Sequence, residues 1–275
     1  MSLPIQTVHL LPVLDQKLIE LLRSLTPEEW NLPTVARLWT VKDVAAHILD
    51  THLRTLSIAR DGYVGDPPGA IGSAQDLIDY LNRLNADYVH ASKRLSPAIL
   101  TELLAVYCPQ ASAYLATLAP LEQAIFSVGW AGEEVSANWF HIAREYTEKW
   151  HHQQQIRDAV NKPGIMTAEL YHPLLDTFMR ALPVVYRGTA APAGTTVKVS
   201  ISGTGGGDWF ITREAGWVLT DQPATTPAAH TTIDGSIAWK LFSKSWRRPQ
   251  VIPYTTIMGN RALGEVALDM VSVMA

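Results

Sequence analysis

The four residues Asn161-Lys162-Pro163-Gly164 divide this chain into two stretches built on different periods. Proline removes a backbone donor and glycine or asparagine accepts a left-handed backbone, so a helix arriving here stops. Ahead of the break, LPVLDQKLIELLRSL repeats apolar residues at steps of three and four, the period of an amphipathic helix. Thr26-Pro27-Glu28-Glu29 opens a short helical turn. Thr40-Val41-Lys42-Asp43 opens a second long helix, VAAHILDTHLRTLSIARDG, stopped by Gly62. Thr40 is placed to cap its N-terminus, and Asp43 three residues on supplies an aspartate version of the capping box. Ser73 starts a third helix, and Ser96-Pro97 starts a fourth that Pro109 is placed to kink. Asn138 to Val160 forms the last. Long helices joined by short links predict an antiparallel four-helix bundle.

Beyond the break, ELYHPLLDTFMRALPVVYRG reads as one more helix. TTVKVSISG and GDWFITREAGWVL then alternate in period two around Thr204-Gly205-Gly206-Gly207, which predicts a hairpin. A loop over Asp221 to Ala229 precedes HTTIDGSIAWKLF, a strand turning into a helix, and RALGEVALDMVSVMA closes as helix. The fold class is therefore an α bundle over residues 1–164 followed by a smaller α+β domain over residues 165–275. At 275 residues the chain is long enough for two cores, with the thinnest contacts expected near residues 161–168.

Composition excludes several classes of function. Hydrophobic residues make up 47% and charged residues 17%, with a formal charge of -4, as in a globular protein without a polyanion partner. Lys244-Ser245-Trp246-Arg247-Arg248 is the only dense basic group, too little for nucleic-acid binding. The single cysteine, Cys108, rules out an intramolecular disulfide and reads as a small buried hydrophobe. The opening MSLPIQTVHLLPVLDQKLIELL lacks a basic leader and carries Asp15, so it reads as a first helix, not a signal peptide. These features predict a soluble, cytoplasmic protein with no membrane contact and no obligate protein partner.

The chemistry concentrates in EYTEKWHHQQQIRD. His141, Glu145, Glu148 and His152 follow steps of four, three and four, an inward-facing row filled with groups that ligate metals or carry protons. His151 competes with His152, and periodicity does not separate the two. On this spacing Lys149 and Gln153 face water. His47 sits among Val44, Ala45, Ala46, Ile48 and Leu49, where an imidazole needs a hydrogen-bond partner or a metal. Asp43 and Asp50 are near enough in sequence to orient its second nitrogen. A His/Glu pair one turn apart is equally at home on a salt-bridged helix surface, and His47 alone as a satisfied core residue. His52 and His90 read as generic helix residues. His172 and His230 lack a paired ligand.

WTVKDVAAHILD together with EYTEKWHHQQQIRDAV resembles the N-terminal domain of mycothiol-dependent maleylpyruvate isomerases, within the DinB-like (YfiT-like) metal-binding bundles. ISGTGGGDWFI, IDGSIAWKLF and IMGNRALGEVALDMVSVMA are similar to the SCP2-like domain fused to that family. The resemblance implies metal ligands at His47, Glu148 and His152, selecting His152 over His151. Relatives with three histidines would carry one at Glu148. It also implies a divalent ion, Zn2+ first and Ni2+, Fe2+ or Mn2+ as alternatives, with mycothiol or a similar thiol and a small electrophile as co-substrates. Arg54, Arg144 and Arg157 are the candidates to hold carboxylates of substrate or thiol. Three protein ligands leave one position open, as catalysis requires. The resulting expectation is a thiol-dependent isomerase or transferase. The alternatives are a non-catalytic protein binding a metal or an apolar ligand, and a metal-dependent hydrolase acting through water.

Overall fold

Apolar residues at three- and four-residue spacing bury Leu11, Leu14, Leu18, Leu21 and Leu22 along one face of α1 (Leu11–Arg23). The structure, a computed structural model, describes residues 3–273 other than residue 224, and only the backbone of residue 74. A short turn at Glu29–Asn31 follows, its first amides tied reciprocally by Thr26 and Glu29. Helix α2 (Val41–Arg54) starts at the anticipated capping box, with Asp43 N donating to Thr40 Oγ1 and Thr40 N donating to Asp43 Oδ2. It continues as a π-helical segment over Thr55–Arg60, and Gly62 ends it in the left-handed region at φ +70°. Ser73 and Ser96 cap α3 (Ala74–Ser92) and α4 (Pro97–Leu115), and α4 is continuous through Pro109. Helix α5 (Asn138–Val160) stops at Asn161, which takes φ +52°.

Helices α1, α4, α2 and α5 close a ring in which each touches the next, and α3 lies against α2. Leu18, Leu22, Val44, Ile48, Leu104 and Ile156 fill the centre of this bundle. The second half begins with α6 (Ala168–Met179) and α7 (Leu182–Tyr186), two helices where the sequence suggested one. Strands β1 (Thr196–Ser202) and β2 (Gly207–Arg213) form the expected antiparallel hairpin. Glycine is required at its tip: a Cβ on Gly206 would fall 2.0 Å from Ile201 O. Strand β3 (Trp217–Thr220) extends the hairpin, and β4 (Ala229–Asp234) lies parallel to β1 and runs directly into α8 (Gly235–Phe242). Two short elements had no clear pattern in the sequence, α9 (Arg248–Val251) and β5 (Thr255–Gly259). Helix α10 (Arg261–Val266) is shorter than the expected closing helix and passes into a 3-10 turn at Ala267–Asp269. The sheet order is β3-β2-β1-β4-β5, with β1 and β4 the parallel pair. No helix among the described residues is long and apolar enough to cross a membrane.

The α+β half does not keep its core to itself. Leu11, Leu14, Phe140 and Tyr146 of the bundle belong to the same buried cluster as Val199, Ile211 and Phe242. Trp150 of α5 stacks on Tyr171 of α6 with ring centroids 5.0 Å apart and meets Trp239 of α8 edge-on at 6.3 Å. The connecting residues are pinned, not loose. Arg157 Nη1 donates to the carbonyls of Lys162 and Pro163, and its Nη2 donates to that of Lys17. Trp150 Nε1 donates to Ile165 O, and Lys240 on α8 pairs with Asp158 on α5 at 2.8 Å.

This arrangement buries α5 on both sides and overturns one expectation. Lys149 and Gln153 do not face water; they are only 8% and 1% exposed. Gln153 Nε2 donates to Leu14 O, and Lys149 Nζ donates to Asp15 Oδ1 at 2.6 Å and to Ser112 Oγ at 3.0 Å. The Ser112 hydroxyl donates to the other Asp15 oxygen. Removing one partner of such a buried pair strands the other charge, so Lys149→Met is expected to destabilise the protein by about 3–5 kcal/mol. The double variant Lys149→Met/Asp15→Leu should recover most of that loss. Chemical denaturation of the three proteins checks both.

Candidate metal centre

Helix α2 carries His47 on a turn otherwise made of Val44, Ala45, Ala46, Ile48 and Leu49, all buried, so its ring is driven inward with them. Trp39, just before the cap, lays its ring 4.7 Å from the imidazole. From α5, His152 meets it. The two Nε2 atoms are 3.1 Å apart, and Glu148 Oε2 lies 3.4 Å from His152 Nε2. Neither aspartate considered for His47 reaches it. Asp43 is occupied at the helix cap and Asp50 pairs with Arg54 at 3.0 Å, leaving His47 Nδ1 buried without a hydrogen-bond partner.

His151 joins the cluster from the same helix. Its Nε2 is 3.8 Å from Glu148 Oε2, and donor atoms of Glu148, His151 and His152 all lie within 4.8 Å of one another. Both α5 histidines are fixed through their other nitrogen. His151 Nδ1 donates to Thr147 O at 2.8 Å, and His152 Nδ1 donates to Gln155 Oε1 at 2.9 Å. Oxygens of these kinds only accept, so each Nδ1 carries a proton and each Nε2 is turned into the cluster.

Electrostatics prepare the same atoms for a cation. Burial, reinforced by His152 and Arg54, holds His47 well below the usual histidine range. Burial and His152 bring His151 down to about 4. For Glu148 burial favours the neutral acid, but His151, the hydrogen bond to His152 and the charge of Arg144 outweigh it and bring the carboxyl to about 2. At neutral pH, His47 and His151 are therefore neutral donors beside an ionised carboxylate. Two donors each about 2.0–2.1 Å from a tetrahedral ion stand roughly 3.3 Å apart. The 3.1 Å between His47 and His152 and the 3.4 Å between Glu148 and His152 are close to that edge. The group whose donor atoms all lie within 4.8 Å of one another is Glu148, His151 and His152, so the α5 residues fit a divalent metal with His47 approaching His152 from α2.

The cluster opens on a cleft of about 250 Å³ between the bundle and the α+β half. His151, His152 and Gln155 form its floor. Arg37 and Trp39 line it from the segment before α2, and Lys244 and Arg247 from the segment after α8. Lys244 takes φ +60°, the turn that follows the end of α8.

The three arginines fare differently. Arg54 donates to Asn85 Oδ1 at 2.8 Å as well as pairing with Asp50, close enough to His47 to lower its basicity. Burial outweighs this arginine at Asp50, whose carboxyl is raised to about 6. Arg144 pairs with Glu145 at 2.6 Å and donates to His141 Nδ1 at 2.9 Å, within electrostatic range of Glu148. Arg157 is directed to backbone carbonyls at the end of α5, a structural task.

A second group of metal-type side chains, Asp15, His52 and Cys108, lies buried in the bundle. There Asp15 already has the ammonium of Lys149 as its cation. Cys108 is buried as expected, its thiol pushed up to about 12 by burial. His52, treated as a generic helix residue in the sequence, is buried here with Nε2 unpartnered. The Glu148/His151/His152 cluster is the one that supports a divalent-metal cofactor. In the α+β half, His230 bonds Ser200 and Thr232, and His172 bonds Gly206 O.

The comparisons agree with this picture. No curated protein matches the sequence. The structure is similar to a solved histidine-to-alanine variant of the mycothiol-dependent maleylpyruvate isomerase, with a TM-score of 0.51 and 8% identity over 87% of this chain and 88% of that one. A further solved structure of the mycothiol-dependent maleylpyruvate isomerase aligns with a TM-score of 0.48 and 9% identity over the same shares. At such identity the likeness to the first of these speaks for the fold alone, a helical bundle followed by an α+β domain with a mixed sheet. The model of the mycothiol maleylpyruvate isomerase N-terminal domain matches residues 11–157, more than half of the chain and inclusive of every residue in the His47/Glu148/His151/His152 cluster. The chain belongs to the mycothiol maleylpyruvate isomerase N-terminal domain family, a metal-dependent enzyme family.

Proposed function

We propose that the protein is a thiol-dependent isomerase or transferase acting on a small anionic electrophile, with His47, Glu148 and His152 as ligands of a divalent ion, Zn2+ first. The observation that carries this reading is the approach of His47 Nε2 to His152 Nε2 beside Glu148, with His47 otherwise unpartnered at Nδ1. Two imidazole nitrogens brought nose to nose in a buried site need a proton or a cation between them. The ion, when bound, supplies a Lewis acid that lowers the pKa of a low-molecular-weight thiol such as mycothiol and makes a nucleophile available at neutral pH.

The chain's own residues do the rest. Gln155 and Thr147 hold the α5 imidazoles in the tautomer that directs Nε2 inward. Trp39 and the α+β half wall the site, which strengthens electrostatic interactions within it. Arg37, Lys244 and Arg247 surround the cleft with positive charge suited to the carboxylates of an unsaturated acid or of the thiol. Arg54 and Arg144 are already paired with Asp50 and Glu145, so they support the centre from behind and leave anion binding to the cleft cations. On such a substrate the thiol sulfur adds to an activated double bond. Rotation about the resulting single bond and departure of the thiol give the isomer; retention of the sulfur gives a conjugate.

Metal analysis tests the ligand set: purified protein is expected to hold about one equivalent of divalent ion, and His47→Ala and His152→Ala to hold little. Equal metal content in all three would sink the assignment. Turnover of an unsaturated dicarboxylate should require added thiol, and activity undiminished in thiol-free buffer would replace this mechanism with a water-based one. Arg247→Ala is expected to raise KM for the anionic substrate roughly 10-fold or more, as loss of a charged hydrogen bond does, with a smaller effect on kcat.

A further inference from the structure

Glu148, His151 and His152 bring their donor atoms within 4.8 Å of one another, and His47 adds a further nitrogen against His152, so His151 is one donor more than the ligand set proposed above uses. We propose that His151 is a fourth protein ligand, closing the site at rest and giving way to the incoming thiol. The inference rests on the ligand set proposed above and adds to it the means by which the site switches from closed to open. Four protein ligands describe a structural site and three an accessible one, so a displaceable fourth ligand allows both states in one protein.

Three observations support this role. His151 is prepared in the same way as His152, its Nδ1 donating to the carbonyl of Thr147, so that Nε2 points toward Glu148. The ring is almost fully buried, with its centroid 3.9 Å from that of His152. It also forms part of the cleft floor, so a ligand entering between Arg37 and Lys244 meets His151 and His152 first.

The reason it yields, where His152 does not, lies in helix geometry and distance. Adjacent residues on a helix diverge by about 100°, so both rings cannot be equally aligned on one point. The 3.8 Å separation of His151 Nε2 from Glu148 Oε2 exceeds the 3.4 Å of His152. His152 is in addition held against His47 from the opposite helix. With an ion bound, His151 Nε2 would give up its place to the thiol sulfur, one nitrogen–metal bond being exchanged for one sulfur–metal bond, and the thiol proton would pass to solvent in the cleft.

Cobalt reports the change without turnover. The metal-free protein, His151→Ala and the size-matched His151→Gln are titrated with Co2+, and 2-mercaptoethanol is then added while the visible and near-ultraviolet spectra are recorded. Thermal melts of the metal-free forms verify that each variant folds. Loss of a ligand should cost at least as much affinity as loss of an outer partner, so Co2+ binding is expected to fall by roughly 10–100-fold in both variants with altered visible bands. The sulfur-to-cobalt band should then saturate at lower thiol concentration than in the parent protein, because no histidine competes. Unchanged Co2+ affinity and spectrum in a folded His151→Ala would overturn the proposal. So would thiol binding no tighter than in the parent. Failure of the underlying ligand set looks different: the parent itself would bind no Co2+, or His47→Ala and His152→Ala would bind it as the parent does.

Discussion

Everything in this protein is organised around a polar helix with almost no water on it. Helix α5 carries histidines, glutamines, a lysine and arginines, and the bundle covers one side while the α+β half covers the other. Buried polar groups are costly unless paired, so each of these side chains has to be answered from within the chain. Lys149 is answered by Asp15 and Ser112, Gln153 by Leu14 O, and Arg157 by three carbonyls. At Glu148, His151 and His152 the answer from the opposite helix is another imidazole, His47, which cannot neutralise a carboxylate while it is itself held neutral. A bound cation, as proposed, would answer this group.

That arrangement explains what was legible in the sequence. Helix starts were readable because Thr40, Ser73 and Ser96 cap locally, through bonds spanning three residues. The hairpin was readable because Gly206 has no substitute at its tip. The row His141, Glu145, Glu148, His152 was visible as a stripe and His47 as an imidazole in an apolar setting, and the resemblance chose His152 over His151. The fate of Lys149 and Gln153 was not legible. Helical periodicity assumes one dry face, and only the packing of Trp150 against Tyr171 and Trp239 shows that the other face is dry as well. Arg157 was misjudged for a related reason, since its partners belong to the break after α5 and to α1. Strand β5 escaped because it is mostly exposed and shows no strict alternation.

The histidines and Glu148 come from one half of the chain, while the cleft above them is lined by both. Ligand-type residues stand on α2 and α5, while Lys244 and Arg247 lie after α8. The reactive centre is thus set by the bundle, and the charge that meets a substrate is set in large part by the α+β half. The family model covers residues 11–157, which include the cluster, while the cleft-lining segment 243–247 lies outside that match.

The shared core around Trp150 has a consequence for how such a molecule diversifies. A module joined by a loose linker can be exchanged for another by recombination with little harm to either side. Here the break at residues 161–164 is a seam in sequence but not in the folded molecule, since Trp150, Tyr171 and Trp239 interlock across it. Exchanging the α+β half for an unrelated module would strip Trp150 of the rings it packs on, so the break in the sequence is a poor place to cut the folded molecule.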